Sequence, residues 1–524
     1  MLDNPILVVH KEFPGRLAWR SEWRDHVPPG KCTLMRYEPT RASIRRHQAP
    51  AWYHDAKFGI FIHWGPFSIP AYAPLGHGNI NDLMVKEGYR SFFVNVPYSE
   101  WYVNSIRIPG SPACTHHRRT YGDGASYFDF APQFKRACAG WQPEPWADLF
   151  QAAGARYVVL VTKHMDGFLM WPSRTPNYAR PGYQMDRDIV GELAAAVTAR
   201  GMRMGCYYSS ALDQSFTTSA MTDIVGLLSE GGPIDQRYAQ YQLAHWRELI
   251  DRYRPSLLWG DIAYPPRTNL FELFADFYNQ IPEGVVNDRW GQLPLWLHRL
   301  VRTRPCRALF NAAAMRILRK GAAGTITPPH SDFRTPEFAV MQDIRPEKWE
   351  TCRGMGYGFG FNREERDGDY MRLGDLIRML VDIVSKNGNL LLNVGPMADG
   401  TIPAVQVQLL RGVGAWLETY GAAIYGTRPW RRAEGITTAG GSVRFTHRSS
   451  AEGETLYVLF QDPVPPGPVT VKDLRVADGS AIRDLASGQA VEFRQAGSDL
   501  TLDFPGPTPD TPVHAVAVTS PPTR

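Results

Sequence analysis

Three carboxylates stand where this chain could do chemistry. Asp261 closes the apolar run Leu257-Leu-Trp-Gly-Asp261. A carboxylate fixed at the end of a buried strand has little freedom, which suits a nucleophile that must approach one carbon along one line. An Asp that merely caps the next segment has the same signature. Glu337 lies in Phe333-Arg-Thr-Pro-Glu-Phe338, between a proline and a phenylalanine, and Glu350 lies in Lys348-Trp-Glu350, between Trp349 and Thr351. An acid catalyst needs a carboxyl whose pKa is lifted by apolar contact or by a second carboxylate. Both glutamates have such neighbours, so spacing does not choose between them, and either could equally sit in an ion pair.

The histidines raise the question of a metal. Cys114-Thr-His116-His117 is the densest cluster. It lacks a second ligand pair at zinc spacing, and Arg118 and Arg119 follow it, so no metal site is expected there. His63 and His164 each end an apolar run beside aromatics. They read equally as metal ligands, packed core residues or donors to hydroxyl groups. Trp64, Trp101, Trp171, Trp259 and Trp290 lie near such run ends too. They are either rim packing or stacking surfaces for the apolar face of a pyranose.

The elements that must hold these residues alternate. Apolar runs at Lys57–His63, Tyr157–Thr162, Arg203–Tyr208, Leu257–Trp259 and Val285–Asn287 are interleaved with helical periodicity at Pro145–Ala153, Asp188–Arg200, Tyr238–Tyr253 and a segment ending near Asn279. Strands apolar on both faces that alternate with helices make a parallel sheet covered on both sides. Each run ends in polar or aromatic residues and no glycine-rich phosphate loop appears. That favours a (β/α)8-like TIM barrel, whose site gathers at the C-terminal strand ends, over an open doubly wound sheet. Leu390–Pro396 closes the region. Beyond Trp430, Val443–Thr446, Thr455–Phe460 and Leu500–Phe504 alternate between turn residues, as in an antiparallel β-sandwich. The expected divisions are an N-terminal arm over 1–48, a barrel over 49–428 and a sandwich over 429–524.

Composition narrows the classes. The chain has 524 residues, 44% hydrophobic and 21% charged, which is too apolar for a disordered protein. Its 57 Lys and Arg against 52 Asp and Glu leave a surplus too small for a dedicated nucleic-acid binder. Aromatics reach 12%, with 15 Trp and 23 Tyr, in keeping with a stacking site. No apolar stretch reaches membrane-spanning length. Six scattered cysteines and an N-terminus without signal-peptide character suggest a reducing, cytoplasmic setting.

Trp52-Tyr-His-Asp-Ala-Lys-Phe-Gly-Ile-Phe-Ile-His-Trp-Gly65 resembles the opening of the family 29 glycoside hydrolases, the retaining α-L-fucosidases. Glu100-Trp-Tyr102, Trp146–Leu160, Lys163-His-Met-Asp-Gly-Phe168, Arg187–Gly191 and Tyr207-Tyr-Ser209 continue the resemblance. Leu258-Trp-Gly-Asp261, Asn287–Gly291, Thr335-Pro-Glu337, Lys348-Trp-Glu350 and Asn389–Pro396 extend it, in the family's order, over roughly residues 50–430. The resemblance implies a barrel followed by a C-terminal β-sandwich, and no metal or organic cofactor. It implies that Asp261 is the nucleophile and Glu337 the acid/base, with Glu350 as second choice. His63, Glu100, Trp101, His164, Tyr207, Trp259 and Arg289 would surround the sugar ring. A covalent fucosyl-aspartate would form and be hydrolysed with retention. Ionised Asp261 would keep Glu337 protonated by like-charge repulsion. The partner is a small-molecule glycoside or oligosaccharide, with neither nucleic acid nor membrane, and a homo-oligomer is possible.

Three departures from the family pattern stand out. His164-Met165 replaces two adjacent histidines, so a thioether stands where an imidazole could bond a sugar hydroxyl. The stretch Leu75–Tyr98 differs in length. A basic insertion, Leu293–Ile326, carries Arg299, Arg302, Arg304, Arg307, Arg316, Arg319 and Lys320 and no acidic residue. Both extra segments should lie near the barrel mouth. The insertion is either a surface helix or oligomer contact, or a clamp for a bulky or negatively charged leaving group. The sequence therefore points to an exo-acting retaining α-L-fucosidase. The alternatives are a transglycosylase or secondary-metabolite-trimming glycosidase, and an inactive carbohydrate-binding protein.

Overall fold

The computed structural model describes residues 36–318, 326–450, 453–506 and 510–520. The expected arm over residues 1–48 therefore lies outside the described residues as far as residue 35. Among the described residues seven parallel strands form one sheet: β1 (Phe58–Ile62), β2 (Tyr157–Lys163), β3 (Arg203–Ser209), β4 (Leu257–Asp261), β5 (Val285–Val286), β6 (Trp349–Gly354) and β7 (Gly388–Val394). Their order is β5-β4-β3-β2-β1-β7-β6.

Alternation along each strand builds two layers, because successive side chains point to opposite faces. Phe58, Ile60 and Ile62 of β1 join Val158 and Leu160 of β2 in the outer layer, under the helices. Phe61 joins Tyr157, Val159, Tyr207, Trp259 and Leu391 inside the barrel. Gly59 also faces inward, and a Cβ there would lie 2.5 Å from the Tyr157 ring. Glycine at this position is what lets the tyrosine cross the barrel floor.

The gap between β5 and β6 is closed without a regular strand. The Asp332 amide donates to the Val286 carbonyl (2.9 Å), and isolated parallel bridges join Arg334 to Trp349 and Glu337 to Cys352. Pro336 has no amide to donate, so this segment cannot make a full ladder. It takes the place of the eighth strand and carries Glu337.

Eight antiparallel strands follow: β8 (Arg428–Ile436), β9 (Ser442–Ser450), β10 (Gly453–Phe460), β11 (Gly467–Val471), β12 (Ala481–Asp484), β13 (Glu492–Ala496), β14 (Asp499–Phe504) and β15 (His514–Ser520). They form a five-stranded sheet, β12-β15-β10-β9-β8, and a three-stranded sheet, β11-β14-β13. Val443, Phe445, Val458, Phe460, Leu500 and Leu502 fill the space between the sheets. The sandwich is tied to the barrel by Asp382, on the helix Leu373–Ser385, which accepts from Arg444 of β9 at 2.5 Å. The Trp416 indole also donates to the Val513 carbonyl at 2.9 Å. No described helix is long and apolar enough to cross a membrane, and the five described cysteines are free.

Candidate active site

The inward-facing residues at the C-terminal ends of the strands converge on one arginine. Asp261 is the last residue of β4. Its Oδ1 accepts from Arg289 Nη1 (3.2 Å) and its Oδ2 from the Tyr207 hydroxyl (2.7 Å). Arg289 Nη2 donates to Glu337 Oε2 at 2.9 Å, and the Tyr98 hydroxyl donates to Glu337 Oε1 at 2.8 Å. The guanidinium is oriented by Thr335, whose hydroxyl accepts from Nε at 2.9 Å, and lies 4.7 Å over the Trp259 ring. Arg289, expected around the sugar ring, places its guanidinium between the two carboxyls, and a planar fork of donors fixes both geometries at once.

Burial pushes the Asp261 carboxyl above its ordinary range. Arg289 and the Tyr207 hydroxyl pull it back, and Glu337 pushes it further up. The Asp261 side chain is 11% exposed and that of Glu337 23%, so both remain open to a ligand.

The other expected site residues cluster around the same carboxyl groups or lie just behind them. His63, one residue past β1, holds Asn393 of β7 through Nδ1 at 2.6 Å, and burial lowers its pKa to about 3. A neutral imidazole there leaves Nε2 for a hydroxyl. His164 stacks on Tyr207 with ring centres 5.8 Å apart. Its buried Nδ1 has no partner. Burial, then His63 and Lys163, hold its pKa well below the ordinary value. Glu100 accepts from the Gly360 amide (2.8 Å) and the Phe359 amide (3.3 Å), and burial raises it to about 7. Trp101 packs edge-on against Phe92, in the segment ahead of it. Trp259 stacks on Tyr207 at 5.4 Å.

Glu350 is placed differently. It lies on β6, deep in the barrel, with no exposed surface. Oε2 accepts from Tyr53 (2.8 Å) and Tyr157 (2.6 Å), and Oε1 accepts from the Trp259 indole (3.1 Å). Every direction around it is taken by a donor, and burial pushes it up to about 7.

Of the two readings open for the tryptophans, the structure takes rim packing for Trp64, Trp171 and Trp290. Trp64 packs against Phe134, Trp141 and Trp146, Trp171 against His245, and Trp290 against Trp246 and Phe274. For Trp64 the cause is parity: with His63 turned inward, the next residue turns outward. Met165 is 1% exposed and belongs to the inner apolar cluster with Trp101 and Tyr207. His116 stacks on Tyr72, and His117 bonds Tyr102 and the Ala125 carbonyl, so neither gathers a metal-binding set.

The basic insertion folds as two helices, Leu295–Val301 and Arg304–Leu318, while Arg319 and Lys320 fall outside the described residues. Arg307 is held by Asp223 (2.7 Å) and Glu230 (2.7 Å), and Arg302 lies 3.5 Å from Glu230. These two arginines anchor the insertion to the helix Ile224–Ser229 rather than awaiting a ligand. Arg267, Trp296 and Arg299 instead line an open groove of about 890 Å³. The groove is built on the loops that leave β4 just after Asp261 and β5 just before Arg289. The other length departure does meet the site: Asn81 donates to the Glu337 carbonyl at 3.0 Å, and Tyr98 ends that stretch. Tyr98 and Thr335 went unrecognised in the sequence. Thr335 stood in a quoted motif, and Tyr98 carried no signal except its neighbourhood.

Comparison with known proteins places the chain in a family. The alpha-L-fucosidase family profile matches residues 31–303 and 307–422. Human tissue alpha-L-fucosidase is 34% identical over 437 residues, 81% of this chain and 78% of its own. Branchiostoma floridae alpha-L-fucosidase is 31% identical over 495 residues, 90% and 93% of the two chains. The crystal structure of Thermotoga maritima alpha-fucosidase in complex with a mechanism-based inhibitor superposes with a TM-score of 0.76 at 36% identity. The match covers 93% of this chain and 100% of that one.

Proposed function

This chain belongs to the α-L-fucosidase family and is a glycoside hydrolase of that class; from that premise we propose that it releases terminal α-L-fucose by a two-step retaining reaction run by Asp261 and Glu337. The observation that carries the reading is Arg289 bridging the two carboxyl groups, with Tyr207 on the far oxygen of Asp261.

In the first step an Asp261 oxygen bonds to the anomeric carbon as the bond from that carbon to the leaving oxygen breaks. Glu337 gives its proton to the leaving oxygen. In the second step Glu337 takes a proton from water, whose oxygen displaces Asp261 and restores the original configuration. Retention requires the two carboxyls to stand about 5–5.5 Å apart, against about 6.5–9.5 Å for inversion, and a shared guanidinium suits the shorter span. Arg289 and Tyr207 hold Asp261 as an aimed anion, while Tyr98 orients Glu337. His63 and His164, both neutral, offer ring nitrogens to sugar hydroxyls over the Tyr207–Trp259 stack. Glu350 is read as a support for Trp259, because three donors already surround its carboxylate.

Following an aryl α-L-fucoside by NMR tests this directly. The first-formed sugar should be α-L-fucose. Asp261→Gly should lose turnover and regain it with azide, giving a β-fucosyl azide. A β-configured first product, or an Asp261→Gly variant with undiminished hydrolysis, refutes the assignment.

A further inference from the structure

Beside β5, two histidines, one of them 285 residues away along the chain, converge on one carboxylate oxygen of Asp332. His47 Nδ1 lies 2.7 Å from Asp332 Oδ1, and His330 Nε2 lies 3.3 Å from the same atom. The three ligand atoms fall within 4.8 Å of one another. The other oxygen, Oδ2, is already occupied by the Tyr278 hydroxyl (2.8 Å) and the Val286 amide (2.7 Å). The aspartate is thus pinned with Oδ1 presented to the two imidazoles. The side chains are 0% (Asp332), 3% (His47) and 6% (His330) exposed.

Each ring nitrogen of His47 faces an acceptor. Its Nε2 faces the Pro282 carbonyl at 3.3 Å, and its Nδ1 faces the Asp332 carboxylate. Both partners accept, and a neutral imidazole has one N–H, so one ring nitrogen donates and the other keeps its lone pair. With the Nε2 hydrogen on the carbonyl, the Nδ1 lone pair is directed at the position a cation would share with Asp332 Oδ1. A nitrogen lone pair, a carboxylate oxygen and a second imidazole converging on one point, with the outer N–H on a backbone carbonyl, is the ligand and supporting pattern of a metal-binding histidine.

We propose that His47, His330 and Asp332 form a structural divalent-metal site, zinc being the ion whose ligand preferences it meets. With zinc–ligand bonds of about 2.0–2.2 Å at tetrahedral angles, ligand atoms stand about 3.3 Å apart. The His330–Asp332 pair already has that spacing. His47 must withdraw by about 0.6 Å from Oδ1 to match. The Tyr278 hydroxyl, 3.0 Å from His330 Nε2, is committed to Asp332 Oδ2, so a fourth ligand would come from solvent. The ion would join the segment before β1 to the irregular segment that completes the barrel and bears Glu337. The Tyr37 amide, which donates to Asn279 at 2.7 Å, and the His47 ring, stacked 3.8 Å from Tyr278, already hold that segment in place.

The test uses the untagged full-length chain. After chelation and gel filtration, zinc or cobalt is returned and metal content, cobalt visible absorption and thermal midpoint are read. The expected results are one tightly held ion per chain, tetrahedral cobalt bands and a rise of a few degrees in the midpoint. His330→Asn leaves both Oδ2 hydrogen bonds and the His47 contact of Asp332 in place, folds as judged by an unchanged circular dichroism spectrum, and should bind about 100-fold more weakly or worse. Retained binding in His330→Asn, or a wild-type chain that takes up no stoichiometric metal at micromolar concentration, overturns the proposal. The second result leaves the His47–Asp332 contact as a hydrogen bond.

Discussion

Glu350→Gln isolates a buried charge whose effect on stability has a definite sign. Burial raises the Glu350 pKa from its ordinary 4.5 to about 7, with Tyr157, Tyr53 and Trp259 partly opposing the shift. In the unfolded chain the carboxyl ionises near its ordinary value. Between about 4.5 and 7 the folded state therefore holds a proton that the unfolded state has released, and stability falls as pH rises through that window. The two and a half pH units, at about 1.4 kcal/mol each, come to about 3 kcal/mol, all of it absent below pH 4.5. Glutamine cannot ionise. Its NH2 faces a ring of donors, so the variant should be less stable than wild type at pH 4.5. The deficit should shrink, or reverse, by about 3 kcal/mol at pH 8. Glu100 is also raised to about 7, and its contribution, common to both proteins, cancels in the difference. Thermal midpoints of both proteins, measured at half-unit steps from pH 4.5 to 8, should converge or cross by several degrees. Parallel curves would show that Glu350 does not titrate in this range, and the argument from burial would fail.

Removing the Tyr207 hydroxyl with Tyr207→Phe takes away a 2.7 Å donor that lowers the Asp261 pKa. The kcat/KM should fall about 10–100-fold, and its acidic limb should move to higher pH; a limb that stays in place would remove Tyr207 from the control of Asp261. Glu337→Gln should slow turnover of poor leaving groups by about 10²–10⁴-fold while leaving formation of the intermediate from an activated aryl fucoside fast, with azide relieving the second step. Equal losses on both substrates would argue against proton transfer by Glu337. Trp296→Ala and Arg299→Ala should each raise KM for a fucosylated acidic oligosaccharide by roughly 3–10-fold, as expected for one lost stacking or charge contact, without changing an aryl fucoside. Loss on neither substrate would leave the groove of about 890 Å³ without a part in recognition.

What the sequence determined by itself was local and periodic. Runs such as Tyr157–Lys163 are apolar on both faces, so they had to be buried strands, and their alternation with amphipathic helices had to make a covered parallel sheet. Ordered motifs carried the carboxylates and most of the cavity wall. Which side of the sheet each residue faced depended on parity, and parity is fixed only once a strand's register is known. That is why Trp64 and Trp290 could be taken for stacking surfaces while Tyr98 passed unnoticed. Only the tertiary structure could decide contacts between distant segments. Arg289 sits between Asp261 and Glu337, Arg307 is held by Asp223 and Glu230, and His47 reaches Asp332 across 285 residues. Hydrogen bonds and ion pairs act over a few ångströms in space, and that neighbourhood is set by the closing of the barrel, not by separation along the chain.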